Sequence, residues 1–219
     1  MKNAPLSPLH LELDNATTQM EQMLTPETVT MFEQSILQLK ASGLATGLKV
    51  GTKAPDFSLK DQNGTNVTLF DYTAHGPVIL LFYRGVWCPF CNITLRAYQQ
   101  ASGLFEESGA RILAISPQSP DYSTTMQTNN SITFPVLSDT GNEVASQYNI
   151  VFELSESIRN VYQSLGISLD DYNGDSSWKL PLPTTYVIDR ANIIRLAYVE
   201  ADYKRRLEPS QVLDMLASL

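Results

Sequence analysis

A chain of 219 residues is long enough for one substantial core, and 43% hydrophobic against 17% charged residues is the balance of a folded globular protein, which excludes disorder. The formal net charge is −8, and the densest basic patch, Lys204-Arg205-Arg206, is flanked by Asp202 and Glu208; the balance argues against nucleic acid as a partner, and the trio reads as a solvated helix start. No run approaches the roughly 18 apolar residues of a membrane span, and Met1 to Pro8 has no apolar signal core, so the expectation is a cytoplasmic protein with no membrane partner.

The first 48 residues read as a helical lead-in, set apart from a catalytic domain over 49–219. A weak helix is expected from Leu11 to Leu24. A stronger one starts at Thr25-Pro26-Glu27, an N-cap threonine followed by proline and an acid; Val29, Phe32, Ile36 and Leu39 follow at helical spacing, and Gly43 and Gly47 end it. Asp61-Gln62-Asn63-Gly64 is a turn and Val67 to Leu69 a short strand. Val78 to Tyr83 is a continuous apolar run, the pattern of a central strand covered on both faces, and Gly85 breaks it. A helix is expected over Asn92 to Glu107, a strand over Arg111 to Ser116, and a helix over Pro120 to Asn129. A strand over Phe134 to Leu137 and helices over Asn142 to Tyr148 and Glu156 to Leu165 follow. Gly166 to Leu182 is polar and irregular, a surface loop near the active site whose acids lack the later ligands of a calcium loop. Thr184 to Asp189 and Ile193 to Val199 form an antiparallel hairpin, and a helix over Glu208 to Leu219 closes the chain. Strands alternating with helices predict an α/β sandwich with a central sheet and helices on both faces.

The two cysteines lie in Trp87-Cys88-Pro89-Phe90-Cys91, directly after the apolar strand. A disulfide across two intervening residues is easily closed where both fall in the first turn of a helix. There the first sulfur is expected to be exposed and to face unpaired backbone N–H groups, which favour thiolate over thiol. This reading makes Cys88 the nucleophile and Cys91 a partly buried resolving thiol of higher pKa. In a reducing compartment such a pair is chemical, not a staple. The structural alternatives are half of a zinc site and two inert core cysteines. A zinc site needs two more Cys or His ligands, and His10 and His75 are the only histidines; the inert reading has the strand and the aromatic-proline context against it. His75 reads as a solvated turn residue. Arg84, four residues before Cys88, is either a charge that lowers a thiolate pKa and orients a peroxide oxygen or an ordinary surface charge.

Phe82-Tyr83-Arg84-Gly85-Val86-Trp87-Cys88-Pro89-Phe90-Cys91, with Ala54-Pro55-Asp56-Phe57 before it and Pro183-Thr184-Thr185-Tyr186-Val187-Ile188-Asp189 after it, resembles the peroxiredoxin-like branch of the alkyl hydroperoxide reductase and thiol-specific antioxidant family. The resemblance covers about residues 48 to 219 and implies a thioredoxin-like three-layer sandwich with a mixed sheet, the helical lead-in being an extension outside it. Matched to ordinary peroxiredoxins, Cys91 takes the place of the peroxide-attacking cysteine and Cys88 that of its threonine partner. Arg84 then replaces the family proline, and Pro183 aligns with the catalytic arginine. Matched to thioredoxins, Cys88 is the attacking thiol, Pro183 falls where a cis-proline borders the disulfide, and Phe82 replaces a buried acid.

The resemblance implies a thiol-dependent antioxidant oxidoreductase that reduces hydroperoxides through a Cys88–Cys91 dithiol/disulfide cycle, draws electrons from a thioredoxin-like or other thiol reductant, and needs no cofactor or metal. Two alternatives stay open: a thioredoxin-like protein disulfide oxidoreductase with Cys88 as nucleophile, and a redox sensor or interaction module without catalysis. Cys88, Cys91 and Arg84 are the catalytic candidates; Trp87, Pro89, Phe90, Pro183 and Thr184 are candidates for substrate docking, and a homodimer is consistent with the fold class.

Overall fold

A computed structural model describes residues 7–219, so the first residues of the lead-in lie outside the description. The lead-in forms α1 (Leu9–Met23) and α2 (Pro26–Ser42). Thr25 caps α2 as its sequence predicts, its side chain accepting from the Thr28 N–H at 3.3 Å, and Gly43 ends it in the left-handed region at φ 67°. The hairpin β1 (Ser58–Asp61) and β2 (Asn66–Thr68) follows. The strand expected through Leu69 stops one residue earlier. Asp56 Oδ1 accepts the Phe70 N–H at 3.0 Å and draws the chain into the short helix α3 (Leu69–Thr73).

The middle of the chain alternates β3 (Val78–Phe82), α4 (Pro89–Glu107), β4 (Arg111–Ser116), α5 (Pro120–Asn129), β5 (Val136–Ser138) and α6 (Glu143–Gln147). Then come β6 (Val151–Glu153), α7 (Glu156–Ser164), α8 (Leu169–Asn173), β7 (Lys179–Pro181), β8 (Thr184–Ile188), β9 (Ile194–Val199) and α9 (Pro209–Leu216). The polar stretch read as a surface loop thus contains α8 and β7. Each is too short for periodicity to show, and Trp178 within the stretch is buried.

Seven strands form one mixed sheet in the order β2-β1-β5-β4-β3-β8-β9, and β6 pairs with β7 separately. β3 runs parallel to β4, with Leu80 opposite Leu113, and antiparallel to β8, with Leu80 opposite Tyr186. All five residues of β3 are buried, each contributing about 1.5–3 kcal/mol of apolar burial. Ile79, Leu81 and Tyr83 face the layer with α1, α4 and α9; Leu80 and Phe82 face Tyr148 and Tyr186 on the other side. This is the thioredoxin-like three-layer arrangement with an N-terminal helical extension.

The extension is tied to the sandwich at both helices. Glu208, the N-cap of α9 in a capping box with Gln211, also accepts the Leu9 and His10 N–H groups at 2.9 and 2.8 Å, capping α1. Phe32 of α2 joins Leu154, Ile158, Tyr162, Leu169 and Trp178 in a third, smaller apolar cluster. That cluster lies against Trp87, so α2 and the 150–182 segment both border the cysteine loop.

Candidate active site

Parallel sheets place functional residues beyond the carboxyl ends of their strands. β3 ends at Phe82, and the loop through Gly85 delivers Cys88 to the N-cap of α4, with Pro89 at the first helical position, where its missing N–H costs nothing. The loop is clamped from two directions. Gln118 beyond β4 accepts the Val86 N–H at 2.6 Å, and Asn92 Nδ2 donates to the Val86 and Cys88 carbonyls at 2.7 and 2.9 Å. Asn130 Nδ2 in turn donates to Asn92 Oδ1 at 2.7 Å.

Both cysteines are free thiols and both are about 1% exposed. The expectation of an exposed first sulfur is corrected here. The Cys88 side chain makes no capping hydrogen bond and packs in the core cluster with Phe90 and Tyr98. Burial, first, and then the hydrogen bond and charge of Cys91 push the Cys88 thiol well above its ordinary pKa.

The polar and charged groups of the site converge on Cys91. The Arg84 backbone N–H lies 3.5 Å from Cys91 Sγ and Arg206 Nη2 lies 3.6 Å away. Burial opposes ionisation, but the Cys88 hydrogen bond, the Arg206 and Arg84 charges and the Arg84 N–H together outweigh it and bring Cys91 to about 5. Helix position favours ionisation of Cys88 in the sequence, whereas the tertiary partners favour ionisation of Cys91.

A cavity of about 10 Å³ borders Cys91, Thr184, Thr185 and Arg206, the space of roughly one water molecule. Thr184 therefore sits near the sulfur; it is buried, as are Pro183 and Phe90. Among the residues assigned to docking, Pro89 is exposed and Trp87 half-buried. The cis-proline reading of Pro183 is corrected: among the described residues no peptide bond is cis. His75 is exposed and bonds the Asp71 carbonyl at 2.8 Å, remote from the sulfurs in its bonding.

Arg84 is not a surface charge, being 3% exposed. Its guanidinium carbon lies 4.3 Å from the Tyr203 ring, 4.8 Å from Trp87 and 5.8 Å from Tyr162, and Nη2 donates to the Tyr162 hydroxyl. Burying a guanidinium costs several kcal/mol, which this aromatic cage offsets in part.

The AhpC/TSA family profile matches residues 50–197. The chain belongs to the AhpC/TSA family. A Mycobacterium tuberculosis protein, whose name assigns it provisionally to the peroxiredoxins, is 36% identical over 103 residues, 47% of this chain and 65% of that protein. The chain thus matches just under two thirds of that relative's length. The thiol-disulfide oxidoreductase ResA of Geobacillus kaustophilus is 27% identical over 168 residues, 74% of this chain and 79% of that protein. Among solved structures, peroxidoxin BcpB of M. tuberculosis superposes with a TM-score of 0.62 at 23% identity, covering 78% of this chain and 98% of the other, which shows the shared fold.

Several residues of the site escaped the sequence reading. Arg206, read as part of a solvated helix start, lies outside any helix before α9 and turns inward to Cys91. Tyr162 and Tyr203 form the cage around Arg84, and Gln118 and Asn92 hold the loop. No local signal marks Arg206, because it lies 115 positions from its sulfur in sequence.

Proposed function

We propose that the protein is a thiol-dependent peroxidase in which Cys91 attacks and Cys88 resolves. The Cys91 thiolate attacks the terminal oxygen of a hydroperoxide and the O–O bond breaks. The leaving oxygen takes a proton to depart as alcohol or water, and the sulfur becomes a sulfenic acid. Cys88 then gives up its proton and attacks the Cys91 sulfur; the S–O bond breaks, water leaves, and the S–S bond forms. An external dithiol returns two electrons and two protons and is itself oxidised to a disulfide.

The observation that carries this reading is the convergence of Arg206, the Arg84 N–H and the small cavity on Cys91. The guanidinium is suited to stabilising charge on the breaking peroxide, a role given by the family pattern to an arginine that this chain replaces with Pro183. Burial holds Cys88 protonated, and so does the negative charge of Cys91; oxidation of Cys91 removes that charge and frees Cys88 for its own step.

The Trp87-Cys88-x-x-Cys91 spacing and the likeness to ResA support a second reading, protein disulfide exchange by Cys88. Two nearly inaccessible sulfurs weigh against it, because a bulky protein disulfide reaches Cys88 only if the Trp87 loop moves, whereas a small peroxide needs far less space. The test is to mix reduced protein with one equivalent of hydrogen peroxide, and separately with oxidised insulin. Peroxidase chemistry requires stoichiometric loss of both thiols to the peroxide, much faster than insulin reduction. Rapid insulin reduction with slow peroxide consumption would replace this reading with the second.

A further inference from the structure

A second cavity, about 210 Å³, lies apart from the small space beside Cys91. Its walls come from the extension and the 150–182 segment: Phe32, Ile36 and Leu39 of α2, Phe152 of β6, Tyr162 of α7, and Tyr203. Arg84 lines it as well. The cavity shares no lining residue with the space beside Cys91.

Arg84 is the unusual element of this wall. It is 97% buried by complement of its 3% exposure, no carboxylate of the described residues pairs with it, and its Nε has no acceptor among protein groups. Glu153, which also lines the cavity, is an exposed group engaged by Arg159. A guanidinium carries five N–H donors, and an acceptor-only carboxylate satisfies them better than any neutral group. A lining that sets Phe32, Ile36, Leu39, Phe152 and Ile158 beside that fork, with Gln38, Ser42 and Ser155 among its polar residues, accepts an apolar tail with an anionic head.

We propose that this cavity binds a small amphipathic carboxylate, its head on the Arg84 guanidinium and its tail between α2 and α7. Its volume lies below the roughly 300–1,000 Å³ of drug-sized pockets, which limits the tail to a medium chain or a single aryl ring. The site exists only because α2 supplies one wall, which gives the helical extension a function separate from the sulfur chemistry. A charged pair with Arg84 accounts for a preference of roughly tenfold or more over the neutral analogue.

Octanoate and octanol are the probes, titrated calorimetrically into reduced full-length protein and into a Cys88→Ser, Cys91→Ser double variant, so that binding is read without turnover. Octanoate is expected to bind both proteins at one site, at least about tenfold more tightly than octanol. Ser35, half-buried on α2 and lining the cavity, offers a blocking position. Ser35→Phe should abolish binding, and Arg84→Met should erase the preference for octanoate. Thermal unfolding of each variant establishes that it is folded, and Ser35→Phe remains informative if Arg84→Met is not. Equal binding of octanoate and octanol, no binding of either, or octanoate binding that survives Ser35→Phe would overturn the assignment.

Discussion

After the Cys88 hydrogen bond, the Arg206 charge does most to favour the Cys91 thiolate, and replacing it with glutamine separates two effects that this charge combines. Two unit charges about 4 Å apart interact by roughly 4 kcal/mol at an effective dielectric of about 20. Arg206 is half-buried, so solvent screening leaves about 1.4–2 kcal/mol, or roughly 1–1.5 pK units. Cys91 should then titrate higher, by roughly 1–1.5 pK units, read as a shift in the inflection of its alkylation rate against pH. Above that inflection the sulfur is ionised in both proteins, so the altered pKa no longer slows peroxide attack there. Loss of the guanidinium as a donor to the breaking O–O bond costs far more, about 10²-fold. Arg206→Gln should therefore show a slow peroxide step that raising the pH does not rescue, while Arg206→Lys recovers the pKa in larger part than the rate. An unchanged inflection would exclude Arg206 as a charge acting on Cys91, and a rate that returns to wild type above about pH 8 would exclude it as a donor to the breaking O–O bond.

Glu208→Ala removes the shared cap of α1 and α9 and should cost about 1–2 kcal/mol in denaturant unfolding. Burial raises the Glu208 pKa, but the hydrogen bonds from His10 and Leu9 outweigh it and lower the pKa overall. Its contribution is thus complete above the unfolded value of about 4.3 and is lost as pH falls through the folded one; Glu208→Gln should lack that acid-side slope. Tyr162→Phe deprives buried Arg84 of its hydroxyl acceptor and should lower stability by about 1–3 kcal/mol by the same measurement, a neutral result contradicting the cage. A Cβ on Gly85 would fall 2.3 Å from Trp87 Nε1, so Gly85→Ala should displace the indole. With about 1–3 kcal/mol of strain, Cys88 alkylation should accelerate roughly tenfold or more, and an unchanged rate would mean that Trp87 does not shield the sulfur.

Much of the fold is legible in the sequence because its signals are local. The Thr25-Pro26 start of α2, the unbroken apolar run of β3 and the hairpin around Asn192 each carry their own geometry. What escaped notice is either short or non-local. β6 and β7 have three residues each and are defined by pairing with one another, and α3 depends on a hydrogen bond from Phe70 back to Asp56. The site divides in the same way. Two cysteines after a central strand identify the chemistry, and the helix start argues for the first of them. Ionisation of Cys91 is favoured instead by its hydrogen bond with Cys88, by Arg206, brought in from the end of the chain, and by a buried Arg84 caged by nearby Trp87 and by Tyr162 and Tyr203 from two distant segments. A helix-terminus argument holds only for a sulfur that faces the helix end, and the Cys88 side chain turns into the core.

The central claim is that Cys91 is the sulfur that peroxide oxidises. Brief exposure of reduced Cys88→Ser and Cys91→Ser proteins to hydrogen peroxide, followed by trapping of sulfenic acid with a dimedone-type reagent and peptide mass analysis, addresses it directly. A trapped sulfenate on Cys91 in Cys88→Ser and none in Cys91→Ser is the expected result. A sulfenate on Cys88 in Cys91→Ser, with Cys91 unmodified in the other variant, would contradict it.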